Sequence, residues 1–390
     1  MDSASSLGAR LDGRLDGVDL LRGLAIFLVL MNHVNMRLLF AHVPYTRGLP
    51  SQLVSSLVWN GQAGVQIFFA VSGFLITSTS LRRWGGLARV SVAGFYRIRF
   101  ARIAPMLLAL LAVLSALHWA GLHSAALEDF VVSAKTGGLG RALVAALTFH
   151  VNWLEAARDY LPGNWDILWS LSVEEMFYLF FPLLCWVFGR LRPWMFPLLL
   201  LGFAVVGPFA RSRAFNHNPV WREYSYLGGM DAIALGCLTA LLLDGRRLRR
   251  GLLWVLGIAG GGLMVFCLCA SELAGRWGLE RDGLYMTILA VGACMVIAVA
   301  AQTGWRSPRV LAPMLLLGRR SYEIYLTHMF VVFGLFHVFV WLGKPLGLAP
   351  VLFVAVIVVA GLLGEVVAEV YSEPMNRRLR GAAGATMRHG

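Results

Sequence analysis

The sequence predicts an all-α membrane protein with about ten transmembrane helices, and three observations lead to this fold class. Of the 390 residues, 58% are hydrophobic and only 14% are charged, with a mean hydropathy of +0.69. A soluble core cannot bury so large an apolar fraction, whereas bilayer-spanning helices can. The basic residues lie in short loops between apolar stretches, which is typical of membrane orientation. This distribution argues against a nucleic-acid partner despite the net charge of +13.

Each predicted span is an apolar stretch of about twenty residues, the length that crosses a bilayer. The first has no small-residue cleavage site behind it, so we expect a retained helix and not a removable signal peptide. The predicted domain organisation is a cytoplasmic tail at 1–19, one membrane domain at 20–371 and a cytoplasmic tail at 372–390. The predicted spans lie near 20–40, 63–81, 103–121, 168–189, 194–210, 226–243, 252–270, 284–301, 321–342 and 350–370.

A shorter apolar run at 142–153, ALVAALTFHVNW, is ambiguous in length, and the placement of arginine decides its topology. If this run does not span and the N-terminus is cytoplasmic, 23 of the 34 lysines and arginines fall on the cytoplasmic side. That asymmetry follows the positive-inside rule, and it would be lost if 142–153 crossed the membrane. We therefore predict cytoplasmic termini and a re-entrant or interfacial segment at 142–153. The five cysteines lie in apolar stretches without paired loop spacing, so no disulfide framework or metal site is expected.

The first apolar stretch carries two ionisable residues, Arg22 and His33, that are eleven positions apart. On a helix this spacing places them within about 20° of the same face and about 16 Å apart along the axis. Ionisable groups within a membrane are costly and usually face a cavity. The structural alternative is that Arg22, which can pair with Asp19, extends to the interface and that His33 bonds a neighbouring helix.

A second basic group, in FYRIRFARIAP, comprises Arg97, Arg99 and Arg102 on the predicted cytoplasmic side. Guanidinium groups bind phosphate through two parallel hydrogen bonds, so a cluster of them suits an anionic, phosphate-rich ligand. Orientation in the membrane alone also enriches such segments in arginine, and this alternative stays open.

Two adjacent carboxylates, Glu174 and Glu175, occur in WSLSVEEMFYLFFP at 169–182. Both cannot face lipid, so at least one should point into the protein or a wet cavity. Glu174 lies four residues from both Ser170 and Tyr178, and the three predict a polar ridge on one helix. Glu174 is thus a candidate to orient a histidine, although the spacing does not exclude Glu175.

A third polar stripe occurs in GRRSYEIYLTHMF, at the start of the ninth predicted span. Ser321, Tyr325 and His328 follow the i, i+4, i+7 spacing of one helix face. Such a stripe is a candidate substrate surface, and interhelical hydrogen bonding is the structural alternative.

The order and spacing of these motifs resemble acyltransferase family 3, a family of integral membrane acyltransferases. The resemblance covers about residues 15–375. It rests on LDGVDLLRG with the Arg22-to-His33 spacing, and on GVQIFFAVSGFLIT, YRIRFARIAP, WSLSVEEMFYLFFP, SYEIYLTH and the late SEP.

This resemblance implies a ten-helix enzyme of the bacterial inner (plasma) membrane. It would move an acyl group, commonly acetyl, from acyl-coenzyme A to a hydroxyl of a cell-envelope carbohydrate or glycoconjugate. It also implies functional roles for Arg22, His33, Arg97 and Arg99, with the glutamates of SVEE in the site. Some relatives carry an extracytoplasmic hydrolase-like domain after the last helix. The sequence shows none, so we expect a separate extracytoplasmic protein wherever a second acyl-transfer module is needed.

The mechanism predicted from these residues separates donor binding from proton transfer. Arg97 and Arg99, with Arg102 and Arg22, would hold the phosphates of acetyl-coenzyme A, and His33 would act as general base on the acceptor hydroxyl. An imidazole pKa of about 6.5 suits proton removal at neutral pH. Glu174 or Glu175 would fix the tautomer of the histidine. An acylated histidine is the alternative route. Candidate substrate-binding residues are Ser321, Tyr325, His328, Ser170 and Tyr178.

Two other functional classes are compatible with many apolar helices. A secondary transporter or flippase of a lipid-linked or anionic substrate would also place ionisable residues within the membrane. The sequence shows no internal repeat of the kind many transporters have, which favours the enzyme. Its arginines also concentrate on one side of the membrane, the predicted cytoplasmic side. A non-catalytic membrane scaffold would tolerate alanine at the polar positions.

Overall fold

A computed structural model describes residues 15–386, and no strand occurs within that range. The predicted all-α class is confirmed. Among the described residues, nine helices are long and apolar enough to cross a membrane. The predicted span at 194–210 is a shorter apolar helix of 17 residues, Met195–Arg211. Residues 1–14 and 387–390 of the two predicted tails lie outside the described residues.

The first eight helices run from the start of the described chain to residue 191. They are α1 Asp16–Phe40, α2 Ser51–Val58, α3 Gly61–Trp84, α4 Val92–Gly121, α5 Gly138–Leu147, α6 Val151–Ala157, α7 Gly163–Asp166 and α8 Leu168–Leu191.

The remaining ten helices complete the described chain. They are α9 Met195–Arg211, α10 Pro219–Tyr224, α11 Tyr226–Leu243, α12 Arg250–Cys269, α13 Ser271–Arg276, α14 Leu284–Thr303, α15 Ala312–Arg319, α16 Ser321–Trp341, α17 Ala349–Val367 and α18 Glu373–Thr386.

These helices form two compact units. The first unit comprises residues 15–89 and 184–319, and the second comprises residues 90–183 and 320–386. Helix α8 begins in the second unit and ends in the first. Arg22 and His33 therefore belong to the first unit, whereas the arginines of α4 and the glutamates of α8 belong to the second.

In the first unit, α3 packs against both α1 and α11. Glycines allow the backbones of α3 and α11 to touch where they cross. A Cβ atom on Gly73 would lie 1.9 Å from the Ile233 carbonyl oxygen, and one on Gly236 would lie 2.0 Å from the Ala70 carbonyl oxygen. Close helix approach through small residues is a common way of packing in membranes. This close contact with α11 holds α3 in place, and α1 packs against α3.

In the second unit, the late SEP motif joins α16, α17 and α18. The Ser372 hydroxyl donates to Glu323 at 2.7 Å, and Arg320 bonds both Glu365 and Glu373. Ser372 ends a π-helical turn, Ala368–Ser372, which connects α17 to α18. This motif of the family resemblance thus forms a tie between helices.

The predicted re-entrant or interfacial segment at 142–153 overlaps two short helices, α5 and α6. Helix α5 has 10 residues and α6 has 7, and Phe149 between them has a φ of 57°. Neither is long enough to cross a bilayer alone. Helix α5 is also bent by 84° from the preceding helical turns at Ala125–Thr136, a geometry found in broken spans and re-entrant loops. The orientation of the chain stays a prediction from the arginine distribution.

Candidate functional site

Arg22 lies in a network of charges at the start of α1, in the first unit. Its guanidinium is 3.5 Å from Asp19, which confirms the pairing predicted from their spacing. Arg319 at the end of α15 lies 3.4 Å from the same aspartate and 3.3 Å from Asp16. The two acidic residues of the first turn therefore hold α15 as well as Arg22.

His33 is half-buried near the other end of α1. Two residues further on, the buried Asn35 amide donates to the Val58 carbonyl at 3.3 Å and accepts from the Tyr45 hydroxyl. These bonds fix the end of α1 that carries His33 to the segments that follow it. Our sequence reasoning did not identify Asn35, although an amide within an apolar span was the available signal.

Arg99 is the centre of a buried polar cluster in the second unit. It donates to Glu175 at 2.5 Å, lies 3.9 Å from Glu174, and its guanidinium carbon is 3.8 Å from the centre of the Tyr178 ring. The Tyr178 hydroxyl donates to Glu174 at 2.9 Å. The ridge predicted on α8 therefore includes Glu174 and Tyr178, and both glutamates face the same arginine.

The arginines of α4 differ in their surroundings. The positive charge of Arg99 is matched by two carboxylates, whereas the side chains of Arg97 and Arg102 are exposed. A phosphate close to Arg99 would also meet Glu174 and Glu175. Arg99 is thus the arginine of this group that the two carboxylates hold in place.

Substituting Arg99 by lysine should lower the free energy of unfolding by about 1–2 kcal/mol, although the charge is kept. Lysine lacks the planar fork that binds a carboxylate and stacks on the Tyr178 ring. Arg97→Lys, at an exposed position of the same helix, is the control and should unfold like the wild type. Thermal unfolding in detergent measures both, and equal effects of the two substitutions would contradict the assignment.

Ser170 and Tyr325, taken from two different motifs, meet in the second unit. Their hydroxyl oxygens are 2.6 Å apart, and the Tyr325 hydroxyl also donates to the Ile167 carbonyl at 2.9 Å. The His328 imidazole donates from Nδ1 to the Tyr325 carbonyl at 2.7 Å. Ser321 is buried at the start of the same helix, α16. The hydrogen bonds of Ser170 and Tyr325 join α8 to α16, which is the structural alternative that the sequence left open.

A second carboxyl pair in this unit, Glu155 and Asp166, was not identified from the sequence. Glu155 is 1% exposed, and its Oε1 accepts from the backbone N–H of Leu161 at 3.0 Å. Burial and the adjacent Asp166 carboxyl raise the pKa of Glu155 well above its usual range. The available signal was two carboxylates flanking the apolar and aromatic LPGNW stretch.

A buried ion pair in the first unit was also missed. Two nitrogens of Arg211 bond the two oxygens of Asp231 at 3.0 and 2.7 Å. Gln66 donates to the same carboxylate at 2.9 Å and Thr287 at 2.6 Å. Four helices, α3, α9, α11 and α14, are thus joined at one fully buried aspartate. Because every oxygen has a partner, this group is suited to holding helices together.

Comparison with known proteins gives the same family for most of the chain. An acyltransferase domain model matches residues 15–369. The O-acetyltransferase OatA of Staphylococcus aureus (strain NCTC 8325 / PS 47) is 24% identical over 340 residues, which cover 80% of this chain and 50% of the relative. A putative O-acetyltransferase of S. aureus strain COL is also 24% identical, with 82% and 50% covered. The chain spans about half the length of these curated relatives. No solved structure matches it.

Proposed function

Because this chain belongs to the acyltransferase domain family, we propose that it is a multi-pass membrane O-acetyltransferase. In this proposal acetyl-coenzyme A is the donor, and a hydroxyl of a carbohydrate or glycoconjugate is the acceptor. The observation that carries it is the arrangement of α4, which exposes Arg97 and Arg102 and buries Arg99 against two carboxylates. Exposed guanidinium groups beside an internally neutralised one suit a phosphate-rich donor.

The proposed reaction exchanges a thioester for an oxygen ester. The acceptor oxygen forms a bond to the acyl carbon, and the bond from that carbon to the coenzyme sulfur breaks. His33 removes the hydroxyl proton, which then passes to the departing thiolate, so the products are the acetylated acceptor and free coenzyme A. An acyl-histidine route through the same residue gives the same products.

The remaining site residues take supporting roles in the proposal. Arg97 and Arg102 bind the donor, and a donor-binding role for Arg22 stays a prediction from the sequence. Glu174 and Glu175 hold Arg99, and orientation of His33 by either carboxylate stays a prediction from the sequence. Ser170, Tyr178, Ser321, Tyr325 and His328 remain candidate acceptor residues. We place the protein in the bacterial inner (plasma) membrane, where an acceptor of the cell envelope would reach it.

Donor binding is the test of this proposal, measured by calorimetry on the detergent-purified protein with acetyl-coenzyme A. The double variant Arg97→Ala/Arg102→Ala should bind at least about tenfold more weakly, since each charged hydrogen bond contributes about 1.5–3 kcal/mol. The matched control is Arg276→Ala/Arg281→Ala, which removes two exposed arginines of the first unit. Absence of binding to the folded wild type would favour the transporter or flippase instead.

A further inference from the structure

Two buried side chains of α7 have polar atoms without a hydrogen-bond partner among the residues that the structure describes. Both amide atoms of Asn164 and the indole nitrogen of Trp165 have none. Asn164 is 1% exposed, and Trp165 is fully buried. Buried polar groups in native proteins are nearly always satisfied, and each exception needs an explanation, such as a ligand or ordered water. The segment at 155–166 therefore has unmet hydrogen-bonding capacity.

The local backbone gathers these atoms around the carboxyl pair. The loop after α6 folds back so that Leu161 bonds Glu155, and α7 then begins with the Trp165 and Asp166 N–H groups donating to the Pro162 carbonyl. Asn164, Trp165 and Asp166 consequently share one helical turn, with the Asp166 carboxyl adjacent to Glu155. Helix α7 packs against α16, and the next residue after α7, Ile167, receives the Tyr325 hydroxyl.

The chemistry of this group restricts the ligand that would satisfy it. Asn164 supplies a donor and an acceptor, Trp165 supplies a donor, and the carboxyl pair supplies acceptors. Hydroxyl groups can bind both the donors and the acceptors of this group, because a hydroxyl both donates and accepts hydrogen bonds. The indole ring provides an apolar face. An anion such as the donor's phosphates would meet two carboxyl groups. Within the described residues no set of three histidine, cysteine or acidic side chains could hold a metal ion.

We infer that residues 155–166 form a binding site for a neutral polyhydroxyl ligand, with Asn164, Trp165, Glu155 and Asp166 as its polar contacts. The inference rests on the proposed function, in which this ligand is the acceptor whose hydroxyl receives the acyl group. It assigns to the acceptor a set of residues separate from the arginines that would bind the donor.

The unfolding temperature of the ligand-free protein tests whether Asn164 is reserved for a ligand. Asn164→Ala removes an amide that has no protein partner, so the midpoint should stay within about 1 °C of the wild type or rise. The matched control is Asn60→Ala, because the buried Asn60 amide donates to two carbonyls, those of Ser56 and Leu268, at 2.9 Å each. The control midpoint should fall by several degrees. An equal fall for both variants would overturn the inference.

Ligand binding is tested with a mixture of neutral methyl hexopyranosides, compared with the matching uronates at the same concentration. The neutral sugars should raise the unfolding midpoint of the wild type by more than they raise that of Asn164→Ala or Trp165→Phe. Subtracting the midpoint shift of each variant from that of the wild type removes the general stabilisation that sugars give to any protein. The uronates should give no such difference, because their carboxylates would face Glu155 and Asp166. Equal shifts in wild type and variants, or a larger shift with uronates, would overturn the site.

Turnover separates this inference from the proposed function. With acetyl-coenzyme A present, the neutral sugars should stimulate release of coenzyme A, and Asn164→Ala should raise the sugar KM at least tenfold with an unchanged donor Kd. A folded wild type that neither binds nor consumes the donor would refute the proposed function, while the shifts in unfolding midpoint would still decide the site. A wild type that consumes the donor with no response to any neutral sugar would refute the acceptor assignment.

Discussion

Replacing Asp231 by alanine should lower the free energy of unfolding by about 3–5 kcal/mol, the usual cost of removing one partner of a buried ion pair. Asp231 is fully buried and receives hydrogen bonds from Arg211, Gln66 and Thr287. Without the carboxylate, Arg211 keeps a positive charge in a buried site with only neutral partners, the Gly228 and Gly283 carbonyls and the Thr287 hydroxyl. Thermal unfolding in detergent, followed by circular dichroism, measures the effect.

An exposed ion pair in the same unit supplies the control. Arg281 and Asp282 are 3.0 Å apart, but their side chains are 71% and 47% exposed. Asp282→Ala should therefore change the free energy of unfolding by less than about 1 kcal/mol. The double variant Arg211→Met/Asp231→Leu should be more stable than Asp231→Ala, because it leaves no unpaired charge. A loss for Asp231→Ala no larger than that for Asp282→Ala would show that the pair does not hold the helices.

The sequence was sufficient to predict most membrane-spanning helices, because the thickness of the bilayer sets their length. The span predicted at 284–301 is Leu284–Thr303, and the one predicted at 321–342 is Ser321–Trp341. The largest difference is at α4, which was predicted from residue 103 and begins at Val92. Hydropathy detects only the apolar part of this helix, whereas the Ser91 side chain caps it earlier by accepting from the Gly94 N–H. The arginines at 97, 99 and 102 consequently lie on a helix and not in a loop.

The pairing of polar groups between helices was not predictable from periodicity. The sequence identified Arg99, Glu174 and Glu175 as candidates, but a bond between residues 76 positions apart depends on how α4 packs against α8. The same holds for Arg211 and Asp231, which sit in separate apolar stretches. Asn164 and Trp165 were missed for a different reason. They lie in a short turn without amphipathic pattern, and only the burial of their polar atoms indicates a role.

Replacing His33 by alanine should lower the turnover of acetyl-coenzyme A by about 10²–10⁴-fold, the usual contribution of a general base. The donor Kd should stay unchanged, because the proposed binding groups are the guanidinium groups of Arg97 and Arg102. Both the general-base and the acyl-histidine route require the imidazole, so the loss is expected for either. Release of coenzyme A measures turnover, and calorimetry measures binding in the same preparation.

A loss of turnover without a loss of donor binding distinguishes this role of His33 from a structural one. If His33 only bonded a neighbouring helix, His33→Ala would lower the unfolding midpoint. His33→Gln would then restore both stability and turnover, since the glutamine amide also donates and accepts. His33→Gln should instead remain as slow as His33→Ala, because an amide cannot take a proton near neutral pH. His123→Ala, at an exposed position, is the matched control and should keep wild-type turnover. Full turnover in His33→Ala with intact stability would remove His33 from the mechanism and leave the donor site of α4 to stand on its own test.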